Sequence, residues 1–258
     1  MTGRFRSGAL NLAGHLARPP GGVEAGSAGV PAVVLCHGFP SGAGGARTAA
    51  TTFPQLADRI ASESGWVALA FTFRGAGRSE GHFSLGGWLD DVAAAVEHVR
   101  STEAVSGVWL IGFGTGGALS LCAAARDPHV RGVAALGAPA DFDDWAGQPR
   151  RLIAHARDIS LITDAAFPAS FEVWARPLRA IRAAQCAAEL GDRSLLVVHS
   201  HDDDVVPSLD ARVLADAHGS AELRLIAGAG HRLRHDPRAV AVLLGWLDRQ
   251  RHQALPRS

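Results

Sequence analysis

Val108-Trp109-Leu110-Ile111-Gly112-Phe113-Gly114-Thr115-Gly116-Gly117-Ala118-Leu119 reads as an apolar strand, a glycine-rich turn and the start of an Ala/Leu-rich helix. An apolar run without alternation is the pattern of a strand covered on both faces, as in a parallel sheet. At such a junction the spacing G-x-S-x-G holds a serine on a strained strand-to-helix turn, with its hydroxyl raised for attack. The register here is Gly112-Phe113-Gly114-Thr115-Gly116. The small flanking residues are present and the hydroxyl is missing. Glycine at 114 relieves a backbone strain of roughly 1–3 kcal/mol while removing that covalent chemistry.

The flanks extend the same pattern in both directions. Phe5 to Leu16 reads as two short strands around a turn, closed by Arg18-Pro19-Pro20-Gly21-Gly22. Strands are predicted at Ala32–Cys36, Trp66–Phe73, Val108–Ile111, Gly132–Gly137, Ser194–His199 and Ala221–Ile226. Helices are predicted between and after them, over about 49–62, 85–100, 115–126, 209–218 and 237–251. Strands alternating with helices of this length predict an α/β fold, a mostly parallel sheet with helices on both faces. Residues 139–192 lack strands and carry Trp145, Phe167, Phe171 and Trp174. That stretch is too long and too aromatic for a plain loop and reads as a helical lid, with one helix over Arg176–Leu190. The whole chain, 1–258, is read as one domain with this insertion.

Composition bounds the function. Net charge is zero, so no long-range field favours nucleic acid or an anionic membrane. No apolar run approaches the ~20 residues of a membrane span, and Met1-Thr2-Gly3-Arg4-Phe5-Arg6 has no apolar stretch after its charges to suggest a signal peptide. The 25 Lys+Arg residues are all arginine, which gives any one scattered arginine little weight. Cys36, Cys122 and Cys186 are an odd, widely spaced set, so a disulfide framework is not expected and a reducing cytoplasm is. The expected partner is a small molecule, with no cofactor.

Four motifs follow predicted strands. His37-Gly38-Phe39-Pro40 offers the backbone N–H of Phe39 to a pocket, and the N–H of Thr115 is its natural second, a pair of oxyanion donors; the plain alternative is a strand-ending turn. Phe73-Arg74-Gly75-Ala76-Gly77-Arg78-Ser79 lacks the Gly-Lys-Ser/Thr ending of a phosphate loop and reads as a tight structural turn. His199-Ser200-His201-Asp202-Asp203-Asp204 has a His-x-His-x-Asp spacing that suggests a metal, but no matching ligand cluster stands elsewhere, so no metal is assigned. Asp203 stands where an acid partner for a base is expected. Gly228-Ala229-Gly230-His231 puts a histidine behind small residues at a strand end, where it can reach over a pocket as general base. Gly112-x-Gly114-x-x-Gly117 also satisfies a dinucleotide fingerprint, although the next strand ends in small apolar residues rather than an acid.

With these motifs assembled, the chain resembles the α/β-hydrolase superfamily over nearly its whole length, close to its serine-peptidase and dienelactone-hydrolase-like branches. The order Gly114, Asp203, His231 is the order nucleophile, acid, histidine of that fold. The resemblance implies an eight-stranded sheet with the site at the strand C-terminal ends, under a lid. It gives Asp203 the acid role, His231 the base role, and Phe39 and Thr115 the oxyanion donors. It gives Gly114 the nucleophile's place without the nucleophile. Thr115, adjacent in sequence, and Ser41 and Ser79, expected on neighbouring loops, are the hydroxyls considered as stand-ins for it. Three functions stay open: non-covalent general-base chemistry by Asp203 and His231 on a small ester- or amide-type substrate, small-molecule binding by a catalytically silent pseudoenzyme, and nucleotide-dependent chemistry through the glycine string.

Overall fold

A computed structural model describes residues 2–21, 29–40 and 44–254. Its eight strands are β1 (Thr2–Ser7), β2 (Leu10–Ala17), β3 (Val30–Cys36), β4 (Val67–Phe71), β5 (Val105–Phe113), β6 (Val130–Leu136), β7 (Ser194–Ser200) and β8 (Glu222–Ile226). They form one sheet in the order β1-β2-β4-β3-β5-β6-β7-β8. β2 runs antiparallel to both of its neighbours, and every pairing from β4 to β8 is parallel. The predicted α/β architecture is therefore present.

The period-two alternation of the strands divides the core. Val34, Leu110, Val133 and Val197 point to one face, which is covered by α2 (Leu85–Thr102), α3 (Thr115–Arg126) and α8 (Ser208–His218). Leu35, Ile111, Ala134 and Val198 point to the other, which is covered by α1 (Phe53–Arg59) and α9 (Pro237–Ala254). α1 starts later than the predicted helix at 49–62. A short turn of helix at Gly45–Thr48 precedes it, and Pro54 sits in its first turn, where a missing N–H costs nothing. No helix among the described residues is long and apolar enough to cross a membrane.

Between β6 and β7 the chain forms α4 (Asp143–Gly147), α5 (Pro149–Asp158), α6 (Phe171–Ala180) and α7 (Ala183–Ala188). The single helix expected over Arg176–Leu190 is in fact two. The backbone is extended at Ile181 and Arg182, which lets Ile181 turn into the core and Arg182 reach Asp143 at 2.7 Å. The cysteine expectation is also corrected: Cys122 of α3 and Cys186 of α7 form a disulfide across 64 residues. Sequence spacing could not show it, because the pair is made by packing the insertion onto α3. The spacing argument for a reducing compartment loses its ground with that bond.

The turn after β4 is fixed from within. The N–H groups of Gly75, Ala76 and Gly77 donate to the carbonyls of Glu80, Phe73 and Ala46. The buried Asp91 carboxylate accepts from Arg74 Nη2 at 2.7 Å, the Arg74 backbone N–H at 2.9 Å and Ser7 Oγ at 2.7 Å. One carboxylate thus ties β1, α2 and the β4 turn together. Asp91→Ala leaves a largely buried guanidinium and two further donors unpaired, and should lower the unfolding free energy by about 3–5 kcal/mol. Urea denaturation checks this; a loss below about 1 kcal/mol would mean the network is replaced by water.

Candidate active site

β5 ends at Phe113 and α3 opens at Thr115, so Gly114 alone makes the turn. Its backbone sits at φ +53°, ψ −127°, a region that side chains rarely adopt. The neighbouring glycines answer a different need. A Cβ on Gly112 would collide with the Gly116 carbonyl, and one on Gly116 with the carbonyls of His37 and Cys36. A Cβ on Gly117 would come 2.8 Å from Ala138 Cβ. At Gly114 a Cβ would meet nothing closer than His231 Nε2 at 3.5 Å and Gly38 Cα at 3.6 Å. Among these four glycines, only 114 has room for a side chain, and that side chain would face a histidine nitrogen.

Asp203 and His231 come together as the sequence predicts. His231 Nδ1 lies 2.9 Å from Asp203 Oδ2 and 3.1 Å from Oδ1. Asp203 is fully buried, with Oδ1 accepting the N–H groups of Val205 and Val206, each at 2.9 Å. Burial pushes this carboxyl up, but hydrogen bonds from His199, His231, Val206 and Val205 outweigh it and hold the group far below the usual carboxylate range. An ionised Asp203 only accepts, so Nδ1 of His231 carries the proton and Nε2 presents its lone pair toward Gly114.

His199 is the residue to which sequence reasoning gave no role. Its Nε2 lies 3.3 Å from Asp203 Oδ2 and 3.0 Å from the Val206 carbonyl, and the ring is fully buried. It supports the acid rather than waiting for a metal. His201 in the same motif is exposed. Among the described residues no group of three or more His, Cys, Asp or Glu is arranged to hold a metal ion. The signal that was available is the spacing of four between His199 and Asp203, which sets the ring at the strand end and the acid on the following turn.

The oxyanion donors expected at Phe39 and Thr115 flank the same turn. Thr115 is the first residue of α3, so its N–H has no helical carbonyl behind it. The loop carrying Phe39 presses against the turn, with the Gly38 Cα beside the side-chain position of Gly114. Two cavities meet at this point, sharing Phe39, Pro40, Gly114 and His231. The smaller, about 310 Å³, is bordered by Thr48, Thr51 and Arg234. The larger, about 390 Å³, is bordered by Thr115, Phe142, Trp145 and Asp144. A third, about 280 Å³, lies against His15, Phe53 and Phe71 and does not reach Gly114.

Of the alternative hydroxyls, Ser79 is engaged elsewhere: its Oγ bonds Thr72 and accepts the Ala13 N–H at 2.9 Å. Thr115 is buried and borders the larger cavity. Ser41 lies outside the described residues.

A family model for the alpha/beta hydrolase fold matches residues 31–170. Solved structures match the chain nearly end to end. Est1E from Butyrivibrio proteoclasticus superposes at a TM-score of 0.71 with 15% identity, over 99% of each chain. The alpha/beta hydrolase GrgF from Penicillium sp. sh18 superposes at 0.70 with 19% identity, over 98% of each chain. The Pyrococcus furiosus esterase Pf2001 superposes at 0.67 with 16% identity, over 98% of this chain and 90% of that one. At these identities the likeness is one of fold. No curated protein matches the sequence.

His37, under the Phe39 loop, gives the site a pH signature. Nδ1 bonds the Gly38 carbonyl at 2.7 Å and Nε2 accepts the Phe73 N–H at 3.1 Å. Burial pushes its pKa down from 6.5 to about 4, against the Gly38 bond and with help from the charge of Arg234. Below pH 6.5 the unfolded chain binds a proton that the folded chain refuses. The contribution is therefore full above 6.5 and is lost as pH falls toward 4, at up to about 1.4 kcal/mol per pH unit. Denaturation of native and His37→Gln protein at a series of pH values checks it: the variant should show the shallower slope, and equal slopes would remove His37 as the cause.

Proposed function

The chain belongs to the alpha/beta hydrolase fold family, and from that membership we propose that it is a protein of hydrolase ancestry whose Asp203–His231 pair performs general-base chemistry on a small ester- or amide-type substrate without a covalent intermediate. The observation that carries this reading is the 3.5 Å between His231 Nε2 and the side-chain position of Gly114. Gly114 supplies no nucleophile, and the base still faces the place where one would stand.

The chemistry follows from that placement. A water between Gly114 and His231 gives its proton to Nε2 as its oxygen bonds to the substrate carbonyl carbon. The carbonyl oxygen, now negative, takes hydrogen bonds from the N–H groups of Phe39 and Thr115. Asp203 holds the imidazolium in orientation and balances its charge. Collapse breaks the bond to the leaving group, which departs with the proton from Nε2. The α4–α7 insertion acts as the lid, and its Phe142 and Trp145 give the larger cavity a partly apolar wall suited to a small ligand. Rates are expected to be low: in serine hydrolases loss of the nucleophile costs on the order of 10⁶ in turnover, leaving about 10³–10⁴ over water.

The pseudoenzyme reading is favoured by one observation, Gly114 itself: binding needs no nucleophile. The nucleotide reading has less support, because Gly112 and Gly117, two of its three glycines, are each accounted for by backbone or side-chain packing.

Native protein should form no stoichiometric adduct with a fluorophosphonate probe. Gly114→Ser should form one, and should hydrolyse an activated aryl ester with a burst when deacylation is limiting. The strained backbone should cost it roughly 1–3 kcal/mol of stability. Adding His231→Ala should abolish the gain. Intact mass and burst kinetics read both outcomes. A folded Gly114→Ser protein that stays inert would overturn the general-base reading and leave ligand binding as the function.

A further inference from the structure

Arg234 differs from those arginines of the chain that are paired with acids. Arg18, Arg74, Arg182, Arg238 and Arg249 each lie within 3 Å of a carboxylate oxygen. Arg234 has no carboxylate partner among the described residues. Its Nε donates to Thr52 Oγ1 at 3.1 Å, and its guanidinium carbon lies 5.7 Å from the centre of the Phe53 ring. These two contacts hold the planar group in place and leave both terminal nitrogens without a bonding partner among the described residues. The side chain is half-buried and borders the smaller cavity together with Gly114 and His231.

The surroundings have one sign. Among the described residues no Asp or Glu lines this cavity, while Arg232 borders it as well. Burial pushes the Arg234 guanidinium down from its ordinary range, and Arg232 adds to the effect. A cation held in this way gains more from an incoming anion than a solvated one does, because less water is displaced from it. A guanidinium with a free edge matches the two oxygens of a carboxylate. A phosphate dianion would call for several donor groups, and one oriented fork is what the wall provides.

We propose that the smaller cavity receives a carboxylate, with Arg234 as its counter-charge, so that the natural substrate is a small carboxylate-bearing ester or amide. The assignment of a substrate rests on the function proposed above; the anion site itself does not. The carboxylate lies on the Arg234 side and the rest of the molecule extends past Gly114 into the larger cavity. The positioning atoms are those of Arg234, oriented by Thr52 and Phe53.

Calorimetric titration of the full chain with butyrate and with butyramide, its uncharged counterpart, tests this. Butyrate should bind saturably, and butyramide at least about tenfold more weakly, the range of one charge-assisted hydrogen-bond pair. Arg234→Gln should weaken butyrate about tenfold or more, and Arg249→Gln, at an exposed arginine that borders neither cavity, should leave it within about threefold. A measurement without any variant runs alongside: butyrate should protect Arg234 from phenylglyoxal modification, mapped by mass spectrometry. Butyrate that fails to bind native protein, binds Arg234→Gln equally well, or leaves Arg234 open to phenylglyoxal overturns the proposal. Fluorophosphonate labelling of Gly114→Ser reads the Asp203–His231 pair separately. A labelled variant with no butyrate binding removes only the anion site, and butyrate binding with no label removes only the general-base reading.

Discussion

The carbonyls of Cys36 and His37 approach the Cα of Gly116 too closely for any side chain. This contact between the end of β3 and the first turn of α3 is what the rest of the site depends on. It brings the Gly38 Cα to 3.6 Å from the side-chain position of Gly114, and so sets the Phe39 loop against the turn that Thr115 follows. The Gly112–Gly116 contact anchors the other side of the crossing, since a Cβ on Gly112 would strike the Gly116 carbonyl. Packing at this density does not relax by a few tenths of an ångström without moving a strand. The placement of the Phe39 loop is therefore a property of the crossing and not of a side chain at 114. A glycine at 114 removes a hydroxyl and a strain together, while the contacts of Gly112 and Gly116 that hold the crossing do not involve it.

The acid has similar independence. Asp203 is bonded by the backbone N–H groups of Val205 and Val206, by His231 and by His199, and of these His199 stands off the walls of both cavities. His199 Nε2 faces two acceptors, the Asp203 carboxylate and the Val206 carbonyl, so that nitrogen carries the ring's proton. Its Nδ1 is buried with no partner. The carboxylate is thus fixed from behind by a buried donor, and both of its oxygens contact the histidine in front. A base of this kind keeps its orientation whether or not a serine stands before it.

Much of this was legible in the chain. The strand at Val108–Ile111 and the helix at 115–126 were read from apolar continuity and small-residue composition, which report local structure directly. Asp203 and His231 were legible because each follows a strand end, and parallel strands deliver their C-terminal loops to one edge. What was not legible depends on contacts between distant segments. The Cys122–Cys186 bond needs α7 packed on α3. The break at Ile181–Arg182 is set by the pull of the core on Ile181 and of Asp143 on Arg182, and helix periodicity cannot express either. His199 was given no role, because spacing alone does not say which way a ring turns. Arg234 was lost in a chain where every basic residue is arginine; its place on a cavity wall shared with Gly114 and His231 is what marks it, and only the folded state defines that.

The two cavities give the reaction centre a direction. On one side stand Arg232 and Arg234 with no acid among the described residues; on the other, aromatic rings and carboxylates, of which Asp141 and Asp143 face Arg182. The charge of Arg234 is felt beneath the Phe39 loop, since it helps to push down the pKa of the buried His37. In the proposed reaction negative charge develops at a carbonyl oxygen beside Gly114, on the cavity wall that Arg234 also borders, and a cation there favours it. Positive charge develops on the His231 ring, and Asp203 is the carboxylate bonded to that ring to balance it. The two walls thus serve the opposite charges of that one proposed step, and neither involves the side chain that residue 114 lacks.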